Sequence, residues 1–312
     1  MYHISVLRDE LVKSLNFENN RNIIVDATIG LGWHAWEVIK KMKKWDIFIG
    51  IDRDSENLLK AEKQIRTEIL SGKWEFPTCI FIHSSFARLK EILSENQIHT
   101  ITGIIYDLWV SSVHFDEWER GFSFRSDGPL DMRFDRMSWE KTASELIAYT
   151  PERELFEIFR KYGEEPKAFF IAQAIASQRK QKPINTTQEL AAIIEWASFD
   201  PKSTLRVFQA IRIALNQEFD HIIQSLEQAI ELLESNGTIG VISFHSLEDR
   251  LIKQTFARFE KGTIDEITGQ TTIPALLKKI NKKPILPSED EIHTNPRSRS
   301  AKLRIVSKQS IH

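Results

Sequence analysis

The sequence predicts an α/β protein: a doubly wound parallel sheet interrupted by a block of helices. Strand and helix signals alternate through roughly the first hundred residues, give way to helices alone between residues 114 and 204, and then resume as a sheet pattern. The third observation is the opening βαβ outline. Val25-Asp26-Ala27-Thr28-Ile29-Gly30-Leu31-Gly32-Trp33-His34, followed by Ile49-Gly50-Ile51-Asp52, places a strand, a glycine turn, a helix and a second strand ending in an acid.

Taken in order, Ile23 to Val25 is a short buried strand, His34 to Lys44 a helix with a basic end, and Ile47 to Ile51 a second strand. Ser55 to Leu70 reads as a helix, Cys79 to Ile82 as a strand, Phe86 to Leu93 as a helix, and Ile101 to Tyr106 as a strand ending at Asp107. The ligand crevice of such a sheet lies at the carboxyl ends of its strands, where Gly30, Asp52, Ser84-Ser85-Phe86 and Asp107 fall. Helices are expected over Thr142 to Tyr149, Glu152 to Tyr162, Lys167 to Arg179 and Thr187 to Ala197, the last capped by Thr186 or Thr187. One long helix follows, its apolar positions from Phe208 to Leu233 stepping by three or four residues. Asn236-Gly237 suits a left-handed cap, and Thr238 to Ser243 is the next strand. These signals divide the chain into a discontinuous sheet domain, 1–113 with 205–312, and a helical insertion, 114–204.

With 42 basic and 44 acidic side chains the net charge is −2, so a polyanion must be met by a local basic patch. The tail offers one: eight basic residues against three acids between Lys278 and Arg304. Within it, Arg297, Arg299 and Lys302 have the chemistry to grip phosphate oxygens, which a guanidinium binds bidentately. No apolar run reaches the roughly 20 residues of a membrane span, and Met1-Tyr2-His3 opens without a signal-peptide pattern. A soluble, cytoplasmic protein is expected. A single cysteine, Cys79, excludes an internal disulfide and a cysteine-cluster metal site, and no other spacing specifies a metal.

The turn lacks a third glycine at the dinucleotide spacing and a Walker lysine, which leaves an adenosine-type ligand; S-adenosylmethionine is the commonest on such a sheet. Asp52 then accepts from the ribose hydroxyls. Longer motifs narrow this further. Asp107-Leu108-Trp109-Val110-Ser111-Ser112, the run from Glu119 to Arg133, Tyr162-Gly163-Glu164-Glu165, Phe208 to Ile213, Ile242 to Arg250 and the tail from Asn295 to Arg304 resemble the RsmH (MraW) methyltransferases. The match begins at His3, in an amino-terminal His-x-x-Val-Leu motif.

The resemblance implies a Rossmann-like class I S-adenosylmethionine-dependent methyltransferase sheet with an inserted, substrate-binding helical domain. It also implies methylation of N4 of a cytidine in the decoding region of bacterial 16S ribosomal RNA, with the small ribosomal subunit as partner. Oligomeric state stays open, a homodimer included. Carried over by position, the cofactor contacts are Gly32, Trp33, His34, Asp52, Phe86, Asp107 and His114, where the family often has glutamine.

Methyl transfer is an in-line displacement, so the protein mainly aligns and desolvates the reactants. Cytosine N4 is a poor nucleophile because its lone pair is delocalised into the ring. An acceptor for an N4 hydrogen localises that pair, and Asp107 is the candidate, its other reading being cofactor binding alone. His245, Ser246 and Asp249 follow another strand end and position the base, the other reading of Ser246 and Asp249 being helix capping. Phe244 either holds an unstacked base or belongs to the core.

Trp33, Trp109 and Trp139 stand where the resembled family has glycine. An indole at Trp33 is expected to block the methionine arm or force the turn open. Three readings follow: a catalytically degenerate RNA-binding paralogue, tryptophans that stack on a ligand, or glycine codons written as tryptophan. Composition favours the third, since 12 glycines fall well below the roughly 22 of ordinary usage while tryptophans number 8. Ordinary UGG codons at these positions would overturn it.

Overall fold

The computed structural model describes residues 5–72, 75–108, 112–264 and 271–310. His3 and Trp109 lie outside the described residues. The chain forms two compact units, Met1–Trp109 with Asp220–His312, and Val110–Phe219.

In the first unit a run of branched residues makes each strand, and burial on both faces makes the sheet parallel at its centre. Strands β1 (Ile23–Asp26), β2 (Ile47–Asp52), β3 (Thr78–His83), β4 (Ile101–Asp107) and β5 (Leu233–Ser243) pair in parallel. A small antiparallel ribbon, β6 (Thr263–Ile264) with β7 (Thr271–Ile273), stands apart; β8 (Leu277–Lys279) and β9 (Lys302–Lys308) complete the main sheet. The sheet order is β3-β2-β1-β4-β5-β9-β8, with β9 antiparallel to both neighbours. The order reverses between β1 and β4, and the ligand crevice of a doubly wound sheet opens at that point.

Helices α1 (Arg8–Lys13), α2 (Trp33–Ile39), α3 (Ser55–Ser71) and α4 (Leu89–Glu95) belong to this unit. Glycines bring α1 onto the sheet: a Cβ at Gly103 or Gly240 would lie 2.7 Å from Leu15 or Leu11. The α2 helix ends at Ile39 rather than Lys44. Just beyond it, buried Asp46 takes the Lys43 and Asn22 amides, 2.8 Å each, and holds the chain in a turn before β2.

The second unit is helical: α5 (Ser112–Asp116), α6 (Ala143–Tyr149), α7 (Glu152–Gly163), α8 (Ala168–Gln178), α9 (Thr187–Ser198) and α10 (Pro201–Leu215). Thr142 and Thr186 close capping boxes with Glu145 and Glu189, which fixes where α6 and α9 begin. Leu155, Phe159, Ile171, Ile175, Ile194 and Val207 are among its fully buried core residues.

The single long helix expected after residue 205 is two helices, α10 and α11 (Glu218–Leu232). Asn216 spends its amide on the backbone of Met132 and Phe134, and Gln217 is left-handed at φ 53°, so the chain breaks there. Because α10 packs on α7 and α9, the compact unit runs to Phe219 and the expected boundary at 204/205 falls inside α10. In the first unit, α12 (Ser246–Phe259) follows β5 and α13 (Glu289–Thr294) precedes the tail strand.

Glu165 is buried, and Arg206 Nε meets its Oε2 at 2.6 Å while Nη2 meets Asp200 at 2.7 Å. Arg206→Ala strands that carboxylate and lowers stability by about 3 kcal/mol. The check is a lower urea midpoint at unchanged slope, with partial recovery in Arg206→Lys.

Candidate active site

Register places the site. Asp26 pairs with Gly50 of β2 and Ile105 of β4, so two residues further on Thr28, Asp52 and Asp107 stand at one level across three strands. The chain stays in the sheet beyond β1, with the Ala27 amide on Ile105 and the Ile29 amide on Ile51, and then turns. Gly30 and Gly32 take the left-handed conformations, φ 53° and 83°. This geometry turns the Gly30 N–H onto Asp52 Oδ2 at 2.7 Å, while Asp52 Oδ1 takes the Asp54 N–H at 2.8 Å. Asp54 in turn caps α3 through the amides of Glu56 and Asn57.

Burial and neighbouring acids set the electrostatics. Burial pushes Asp26 up to about 8, against the Thr28 N–H, and the charges of Asp107 and Asp52 add to the rise. Burial likewise pushes Asp52 up to about 6, held down by the Asp54 and Gly30 amides. Asp107 donates its own amide to Thr28 Oγ1 at 2.7 Å, and its Oδ2 lies 3.4 Å from His34 Nδ1. The other imidazole nitrogen, Nε2, meets the Val6 carbonyl at 3.0 Å. Phe86 opens the turn after β3, its ring edge-on to Tyr106 at 5.9 Å and to His221 at 6.5 Å.

The structure thus brings Gly32, Trp33, His34, Asp52, Phe86 and Asp107 to the strand ends of one unit. His114 belongs to the other unit, buried between Phe122 and Phe134 at 5.0 and 5.4 Å between ring centres. Of the two sequence readings of Phe244, its surroundings fit the core: it is 7% exposed and packed among buried side chains, with its amide on Glu248 Oε2. His245 is the N-cap of α12. Its Nδ1 accepts from the Glu248 amide and its Nε2 lies 2.8 Å from the Glu248 carboxylate. Lys302 and Arg304 both reach Asp249, at 3.3 and 2.7 Å, and pull its carboxyl below the usual range. Arg297 and Arg299 are exposed.

Sequence reasoning missed Thr28 and Asp26 as site residues, and Tyr106 beneath Phe86. Asp26 and Thr28 sat inside the first motif, and only register shows that they face Asp107. Among the described residues no cluster of three His, Cys, Asp or Glu side chains is placed to hold a metal.

Trp33 does not force the turn open. It is the first residue of α2 with ordinary helical backbone, and the turn closes through Gly32 N–H on Ile29 O at 2.8 Å. What it leaves is a buried indole N–H with no hydrogen-bond partner among the described residues. Trp139, by contrast, is fully exposed.

The MraW methylase family model matches residues 1–309. The chain belongs to that family. Ribosomal RNA small subunit methyltransferase H of Caldicellulosiruptor saccharolyticus is 41% identical over 98% of this chain and 99% of that one. The protein of the same name from Clostridium botulinum is 38% identical over 98% of each. A crystal structure described as a putative rRNA-methylase from Clostridium thermocellum aligns over the whole of both chains at 11% identity, with a TM-score of 0.42.

This methylase therefore takes S-adenosyl-L-methionine as donor, and the strand ends fit its adenosine part. The Asp52 carboxyl takes the amides of Gly30, Asp54 and Arg53, and its partly exposed oxygens keep acceptor capacity for a ribose hydroxyl. Open space lies above Gly30, where a Cβ would meet nothing nearer than 3.8 Å.

Burial raises Asp26 from the ordinary 3.8 to about 8, so the folded chain holds a proton that the unfolded chain gives up, and stability falls as pH rises through that window. Asp26→Asn removes the loss. Its stability relative to the parent rises between pH 5 and pH 8 in urea denaturation; an equal offset at both values would refute the assignment.

Proposed function

We propose that this methylase transfers the methyl group of S-adenosyl-L-methionine to N4 of a cytidine in the decoding region of 16S ribosomal RNA. Two relatives named as small-subunit ribosomal RNA methyltransferases support the substrate class. The observation that carries the chemistry is Asp107, which ends β4 at the switch point, level with the ribose acid Asp52. A carboxylate there accepts one N4 hydrogen and localises the nitrogen lone pair toward the donor methyl.

When bound, S-adenosyl-L-methionine supplies an electrophilic methyl on a sulfonium. Asp52 and Phe86 hold its adenosine end, and Asp107 orients the amino group that receives the methyl. The exposed arginines Arg297 and Arg299 serve the RNA backbone, and Lys302 stiffens β9 through Asp249. In the helical unit, an open groove lined by Phe170, Trp196, Phe199 and the amides of Gln173, Gln178 and Gln181 has the chemistry to stack and hydrogen-bond unpaired bases. Such an enzyme works where ribosomal subunits assemble, in the cytoplasm; no helix among the described residues is long and apolar enough to cross a membrane. The degenerate reading has less support, because the family match spans nearly the whole chain with the donor acids in place.

Asp107→Asn is expected to lower single-turnover methylation at least a hundredfold with donor affinity within a few-fold. Trp33→Gly is expected to tighten donor binding about tenfold or more by calorimetry, since it removes an indole whose N–H is buried without a partner. Weaker binding would instead make the indole a ligand contact. Mass mapping of nucleosides from cells lacking the gene tests the product: persistence of N4-methylcytidine at full level sinks the proposal.

A further inference from the structure

A continuous polar chain runs from the tail helix to the proposed N4 acceptor. Glu291 on α13 accepts the Leu7 N–H at 2.8 Å. The carbonyl of that same peptide, Val6 C=O, meets His34 Nε2 at 3.0 Å, and His34 Nδ1 lies 3.4 Å from Asp107 Oδ2. Leu7 holds the peptide in this orientation with a left-handed backbone, φ 49°, and Val6, Leu7 and His34 are all buried. A carbonyl takes a proton but has none to donate, so Nε2 carries the hydrogen and the neutral ring presents its Nδ1 lone pair to Asp107.

We propose that His34 is the proton store of Asp107, with its tautomer set by the Val6–Leu7 peptide and strengthened by Glu291. This rests on the reading of Asp107 as the N4 acceptor. N4 forms its bond to the methyl carbon with its own lone pair, while the carbon–sulfur pair stays on sulfur. N4 is then left with one proton too many. Asp107 takes that proton and passes it to His34 Nδ1, which leaves a carboxylate beside an imidazolium. The imidazolium donates on both sides, to Asp107 and to Val6 C=O, and a peptide polarised by the Glu291 carboxylate is the better acceptor. The proton is then lost to solvent, and the neutral ring is restored.

Among the described residues, Asp107 faces His34 from β4, with Asp26 of β1 beside Asp107, while Arg8 of α1 pairs with Asp9 at 3.1 Å and lies 3.9 Å from Glu37 of α2. A ligand contact alone would not require a ring tied to backbone on one side and to the strand-end acid on the other.

The test is the pH–rate profile of single-turnover methylation of small ribosomal subunits from cells lacking the gene. His34→Gln keeps a donor for Val6 C=O but cannot store a proton. Its rate at neutral pH is expected to fall about tenfold or more, with donor affinity within threefold. Its acid limb is expected to move to lower pH by more than one unit, as an imidazole and a carboxylate differ by over two. Glu291→Gln, half-exposed on α13, moves the limb the same way by less, and keeps the test open should His34→Gln fail to fold. An unmoved limb in both variants, or a loss confined to donor affinity, overturns the proposal. Asp107→Asn at the parent rate, or a methyl found on an atom other than N4, overturns the underlying reading instead.

Discussion

Three acidic side chains at the ends of adjacent parallel strands dictate the local structure around them. Asp26, buried, and Asp52 and Asp107, partly exposed, end β1, β2 and β4, and each draws on the polar groups nearest to it. Backbone answers first. Asp26 takes the Thr28 amide, and Asp52 takes those of Gly30 and Asp54. The left-handed turn at Gly30 therefore serves the protein before it serves a ligand: it aims an N–H at Asp52, the acid proposed to hold the ribose. Asp107 finds a different partner, the ring of His34.

This arrangement changes what Trp33 means. A glycine turn suggests that every residue in it needs positive φ, but only Gly30 and Gly32 do. Trp33 begins a helix with normal backbone, so the objection to it is volume and an unsatisfied indole N–H, not strain. The distinction matters because a backbone conflict would unfold the site, whereas a side-chain conflict leaves it formed and alters only what enters it.

Close approach sets the other boundary of the site. With no Cβ at Gly103 and Gly240, Leu11 of α1 and Leu15 just after it lie directly on the sheet, and the peptide just ahead of α1 reaches His34. The same unit absorbs residues that resemble functional groups in sequence. Phe244 fills core and His245 caps α12, while Lys302 and Arg304 share Asp249 across β9. In each case burial or a nearby carboxylate competes for the side chain before a substrate can.

By itself the sequence determined the strands that alternate with helices, the acids at their ends, the threonine cap of α9, and the family to which its motifs point. Those features are local: apolar runs, turn glycines and cap residues act within a few positions of one another. Only the tertiary structure decided that the helix after residue 205 breaks at Asn216, because the amide is claimed by a loop more than eighty residues away. It alone set Asp26, Thr28, Asp52 and Asp107 at neighbouring positions, through strand register. It alone joined Glu291 to His34 across a chain separation of more than 250 residues. Periodicity carries no information about which distant group will satisfy a buried polar atom, and the chemistry of this site is built from such pairings.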